Sequence, residues 1–123
     1  MARNGGLYLH RPENALIDVD RCIALKPEYV CAHATKAIAL HQLGRMEDAT
    51  NELAIIDALY PENEGDFYCL ALAYSQLKTP REAVVALRIA IERDSRYVAR
   101  SLVEPLFEEL REDSYFLSVT QQT

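Results

Sequence analysis

Few residues in this chain could do chemistry: His10, His33 and His41; Cys22, Cys31 and Cys69; and the acidic run Glu108-Glu109-Leu110-Arg111-Glu112-Asp113. General acid–base work needs a partner within hydrogen-bond reach, and a zinc site needs three or four converging ligands. His33 and His41 are eight residues apart, about 80° apart in projection on one helix, and no carboxylate or cysteine stands where it could serve both. The cysteines lack C-x-x-C spacing and are odd in number, so they read as reduced, mostly buried thiols. Neither Cys31 nor Cys69 has an obvious activating base. Ser75, Ser95, Ser101 and Ser114 lack a nucleophile-elbow context, and no glycine-rich phosphate loop is present. The acidic run reads as a solvated helical face. The expectation is a non-enzyme with no catalytic residue, no metal and no cofactor.

Composition points the same way. The 123 residues carry a formal net charge of −6, and the thirteen basic residues are scattered, the densest group being Arg93, Arg96 and Arg100. Phosphate backbones demand clustered Lys and Arg, so no nucleic-acid partner is expected. No apolar run approaches the ~18 residues of a membrane span, and Met1 to Gly6 form no signal-peptide core. The expected location is cytoplasmic, without membrane association. Ala and Leu dominate the apolar set while β-branched and aromatic residues are sparse, which favours helix.

The elements that must position any site follow from a repeat. Pro27 and Pro61 lie 34 apart (61 − 27), each after an Ala-Leu-X step and before Glu. At that offset Ala15, Ala49 and Ala83 align; so do Val19, Leu53 and Leu87, and Cys22, Ile56 and Ala90. A second set falls in the other half of the period: Ala37 with Ala71, Ile38 with Leu72, Ala39 with Ala73, Leu40 with Tyr74, Leu43 with Leu77. A period between 20 and 50 signals stacked units. Within each, apolar residues recur at helical spacing, predicting helices over Pro12–Lys26, Tyr29–Leu43, Met46–Leu59, Asn63–Leu77 and Pro80–Arg93. Gly44 suits a left-handed residue just past its helix. Thr79-Pro80-Arg81-Glu82 reads as an N-cap with a capping box.

These residues carry a family likeness. Phe67-x-x-Leu70-Ala71-x-x-Tyr74, then Ala83-x-x-x-Leu87, resembles the tetratricopeptide repeat (TPR) pattern W-x-x-L-G-x-x-Y…A-x-x-x-F; His33, Lys36, Ala37, Leu40, Ala49, Leu53 and Pro61 match it less closely. Lys36 stands where the family has an apolar residue, and Ser95 where it has proline. The resemblance spans about Pro12 to Tyr97. It implies an all-α fold, an α-α superhelix of antiparallel helix pairs with atypical C-terminal capping helices. His33, at a large packing position of the family, then reads as a packing residue. The expected organisation is one domain: 1–28 an incomplete first repeat, 29–62 and 63–96 repeats, 97–119 the capping helices and 120–123 a polar tail.

Periodicity and the resemblance together imply that the first helix of each repeat lines a concave groove. The groove-facing positions are Cys31, Ala34, Thr35, Ile38, His41 and Gln42, then Tyr68, Cys69, Leu72, Ser75 and Gln76. Such a neutral, fairly apolar surface suits a peptide or partner protein. Family members that capture a C-terminal carboxylate present Lys, Arg and Asn there; this chain has Cys31, Thr35, Gly65 and Cys69, so that activity is not carried over. An alternative keeps Ile38 and Leu72 packed under a neighbouring helix. Another function stands beside groove binding: Leu7, Tyr8 and Leu9 are too few to complete the first repeat, leaving Leu16, Val19 and Ile23 for homodimerisation. At the other end Pro105 falls 34 after Ala71 and blocks a further repeat. Leu106, Phe107 and Leu110 are then read as a cap, with Tyr115, Phe116 and Leu117 folding back; the rival reading has Tyr115–Val119 as a detachable tail in the groove.

Overall fold

The structure is a computed structural model that describes residues 11–120; expectations placed on residues 1–10 and 121–123, including His10, lie outside it. The described residues form helices joined by short turns, with no strand among them. The chain divides into two compact units, Met1–Pro61 and Glu62–Thr123. Unit 1 contains α1 (Pro12–Leu25), α2 (Val30–Gln42) and α3 (Met46–Leu59), with α2 packed against both others. Unit 2 contains the pair α4 (Glu64–Gln76) and α5 (Pro80–Arg93), then α6 (Arg96–Val103), a 3-10 helix (Pro105–Leu110) and α7 (Ser114–Thr120). This is the all-α helical-repeat fold expected from the 34-residue period.

The small side chains that recur at the 34-residue offset are enclosed within each helix pair. Ala37 and Ala49 in unit 1, and Ala71 and Ala83 in unit 2, are all fully buried. Close backbone approach leaves no room for added methylenes, so Ala71→Leu is expected to lower stability by ~1–3 kcal/mol through overpacking. Urea unfolding checks this, and a variant as stable as wild type would show the α4–α5 crossing to be loose.

Both pairs turn by the same device. After α2, Gly44 takes φ +81° and the Arg45 N–H reaches back to the Leu40 carbonyl at 2.8 Å. After α4, Lys78 takes φ +66° and the Thr79 N–H reaches the Tyr74 carbonyl at 2.9 Å. Each turn is a Schellman-type closure with one left-handed residue. The glycine was legible as such; Lys78 in that conformation was not. The expected capping box at Thr79 does not form. The Thr79 hydroxyl instead donates to the Tyr74 carbonyl at 2.9 Å, drawn to the acceptor its own N–H already uses. Asn63 caps α4, its Oδ1 accepting from the Asp66 N–H at 2.8 Å.

Ser95, where the family has proline, is followed by a tight polar turn. The Arg96 side chain donates to Asp94 through Nε (3.0 Å) and Nη2 (2.8 Å), and the Arg96 backbone N–H donates at 3.0 Å. These bonds hold the Asp94 carboxyl below its ordinary range, side-chain bond first. A carboxyl lowered on folding stabilises above the usual carboxylate range, and that contribution fades as pH falls through the lowered value.

Beyond α5 the chain folds back on its own unit. The 3-10 helix packs on α4, and α6 and α7 pack on α5. Phe107 and Phe116 are completely buried, and Leu106, Leu110 and Val119 nearly so.

Candidate functional site

On α4, residues 68, 72, 75 and 76 follow the i, i+4, i+7, i+8 spacing of one helical stripe. Tyr68, Leu72 and Ser75 are buried, while Cys69 and Gln76 are half-buried. What covers the stripe is chain from the same unit. The Tyr68 ring stacks on Tyr97 at 4.7 Å between centroids and meets the edge of Phe107 at 5.7 Å, 88° between planes. The Arg100 guanidinium lies 4.9 Å from the same ring centroid, within cation–π range. The Ser75 hydroxyl donates to the Leu106 carbonyl at 2.7 Å. Phe107 in turn meets Phe116 at 6.0 Å. Tyr97, Arg100 and Phe107 are contributors to this face that sequence reasoning had not joined to Tyr68. The signal available was an aromatic-rich segment following a helix whose stripe carried Tyr68.

The matching stripe on α2 is Ala34, Ile38, His41 and Gln42, with Cys31 and Thr35 beside it. Ala34 and Ile38 are buried; Cys31, Thr35, His41 and Gln42 are half-buried. The Gln42 side-chain amide is enclosed with neither its nitrogen nor its oxygen hydrogen-bonded among the described residues. On α1, Val19 is buried and Leu16 and Ile23 are half-buried, whereas Ile17 and Leu25 are the exposed large apolar side chains. Cys22 is a free cysteine. Cys31 and Cys69 do not stand as free thiols, which corrects the expectation of three reduced ones.

Beside these stripes, each unit has a hollow between its paired helices. In unit 2 it is apolar, about 340 Å³, formed by Phe67, Leu70, Tyr74, Val85, Ala86 and Ile89 with Arg81 and Glu82. In unit 1 a hollow of about 310 Å³ is formed by Leu16, Asp20, Lys36, Leu40, Arg45, Asp48, Asn51 and Glu52. The 34-residue offset maps Lys36 onto Leu70, Leu40 onto Tyr74, Asp48 onto Glu82, Asn51 onto Val85 and Glu52 onto Ala86. Two equivalent places are thus built in opposite chemistries.

Glu52 of the polar version also belongs to a buried pair with His33. His33 Nδ1 lies 2.8 Å from Glu52 Oε1, and Nε2 lies 2.7 Å from the Pro27 carbonyl oxygen. Lys36 Nζ pairs with Asp20 at 2.9 Å and approaches Glu52 Oε2 at 3.8 Å. Both His33 nitrogens are committed, leaving none to exchange a proton with a substrate. Among the described residues no three His, Cys, Asp or Glu side chains gather as a metal site would require. No described helix is long and apolar enough to cross a membrane.

A family model described as "Psidin, N-terminal TPR repeats region" matches residues 10–116. No curated protein and no solved structure matches the chain.

Proposed function

Because the chain belongs to the family of the Psidin N-terminal TPR repeats region, a helical-repeat module for protein interaction, we propose that it is a non-catalytic scaffold. It holds a partner protein or peptide by the first-helix faces of its repeats. The residues of that face are Cys31, Ala34, Thr35, Ile38, His41 and Gln42 on α2, and Tyr68, Cys69, Leu72, Ser75 and Gln76 on α4.

One observation carries the reading. The α4 stripe already grips a short 3-10 segment of its own unit: the Phe107 ring packs against Tyr68, and the Leu106 carbonyl accepts from Ser75 at 2.7 Å. Apolar anchors seated in a groove, helped by a bond to the backbone, are a recurring mode of peptide recognition. Segment 97–119 therefore acts as the cap of unit 2, and an outside partner meets the half-buried positions that remain, Thr35, His41, Gln42 and Gln76.

The test is affinity capture with identification of the bound protein, followed by titration against Thr35→Arg and Gln76→Arg, with Val85→Arg as control. Hot-spot positions cost enough on substitution to weaken binding about tenfold or more. Equal affinity of both face variants, with the loss at Val85→Arg instead, would move the interface to the apolar hollow of α4 and α5.

A further inference from the structure

We propose that the apolar hollow between α4 and α5 seats an amphipathic helix of a partner protein, with apolar residues four apart and carboxylates at its margins. Unit 1 supplies the template. One wall of its equivalent hollow comes from a third helix, through Leu16 and Asp20 of α1. Residues four apart share a helix face. The hollow of unit 2 has no such wall: every residue around it, from Phe67 to Ile89, belongs to α4 or α5. At the 34-residue offset Leu70, Val85 and Ala86 replace Lys36, Asn51 and Glu52. In unit 1, α1 brings Asp20 to the Lys36 ammonium at 2.9 Å. A helix seated on unit 2 must bring an apolar side chain instead.

The walls fit that occupant. Leu70 and Ala86 are buried, Phe67 and Ile89 are half-buried, and Val85 stays half exposed. At about 340 Å³ the hollow is at the small end of ligand cavities. It takes a few side chains of a docked helix rather than a whole enclosed molecule. Charge sets the margins. Arg81 and Glu82 stand beside the hollow, and the Arg93 guanidinium lies 5.1 Å from the centroid of the Phe67 ring. Arg81 lies over the Tyr115 ring, and Arg93 donates to the Glu62 carbonyl. Among the described residues neither pairs with a carboxylate, so this margin carries two cations and one anion. In a chain of net charge −6, that local excess of positive charge selects an acidic helix.

The hollow shares no residue with the stripe of Tyr68, Leu72 and Ser75, where Phe107 and Leu106 make their contacts. Failure of either site therefore leaves the other standing.

The experiment is fluorescence-anisotropy titration of the full chain with two alanine-based helical peptides that share one leucine stripe. Glutamates flank the stripe in one peptide and lysines in the other. The glutamate peptide is expected to bind, and Val85→Asp to weaken it about tenfold or more, as a central contact would. Arg81→Glu should weaken it about two- to fivefold, the worth of an exposed ion pair, and improve the lysine peptide. Both substituted side chains are exposed, so the variants keep the fold. Thr35→Arg and Gln76→Arg should leave both affinities unchanged. Absence of saturable binding by the glutamate peptide, or equal affinity for wild type and Val85→Asp, would overturn the proposal. So would a concentration-dependent dimer abolished by Val85→Asp, because a second copy of the chain would then fill the hollow.

Discussion

Phe107→Ala is expected to destabilise unit 2 by about 3–5 kcal/mol, the usual cost of emptying a fully buried aromatic site. Phe107 is completely enclosed, its ring held between Tyr68 of α4 and Phe116 of α7. Its removal opens a cavity where two helices and the 3-10 turn meet, and the turn's own six residues are too few to collapse into it. For a unit of this size the thermal midpoint should fall by on the order of 12–40 °C, read by circular dichroism. The size of the effect also decides what the C-terminal segment is. A cap is part of the core, so the penalty appears in full. A detachable tail unfolds separately, and the main transition would then move by no more than ~0.5 kcal/mol, the ordinary range for surface positions. Expected loss of the Tyr68 contacts makes Tyr68 more exposed in the same variant, which quenching of tyrosine emission would register.

Most of the architecture was legible because the repeat is written in residue types whose physical roles are narrow. Alanine at 37, 49, 71 and 83 could only be explained by close backbones, and all four are enclosed. Gly44 announced a left-handed residue; Lys78, which takes the same conformation, carries a side chain that gives no such notice. Thr79 showed the limit of a local motif: its hydroxyl had a competing acceptor at Tyr74, supplied by the turn geometry and invisible in the tetrapeptide. The face of α4 was legible as a stripe, but its cover was not. Tyr97 and Phe107 lie 29 and 39 residues along the chain from Tyr68 (97 − 68 and 107 − 68), and no periodicity links them. His33 was readable as a packing residue, yet its partner went unseen. Glu52 sits three after Ala49 and four before Ile56, on the buried stripe of α3, and a carboxylate there was the available signal.

That misplaced carboxylate supports the second large effect. Glu52→Ala is expected to cost about 1–3 kcal/mol, because removing one side of a buried hydrogen bond leaves His33 Nδ1 without its partner. His33 would keep its bond to Pro27 but face an apolar void, and Lys36 would retain Asp20 alone. Unit 2 supplies the remedy, since its equivalent positions are Phe67, Leu70 and Ala86, which pack together around an apolar hollow. Installing the same set in unit 1, His33→Phe with Lys36→Leu and Glu52→Ala, removes both sides of the pair at once. Replacing both partners of a buried hydrogen bond by apolar groups of fitting shape is often nearly neutral or stabilising. The triple variant should therefore return to within about 1 kcal/mol of wild type or exceed it, a coupling well beyond ordinary additivity. Urea unfolding at neutral pH measures all the required states. If the triple variant were no more stable than Glu52→Ala, the polar cluster would be irreplaceable by the apolar solution of its sister unit. The difference between the two hollows would then reflect backbone geometry rather than a swap of side-chain chemistry on one scaffold.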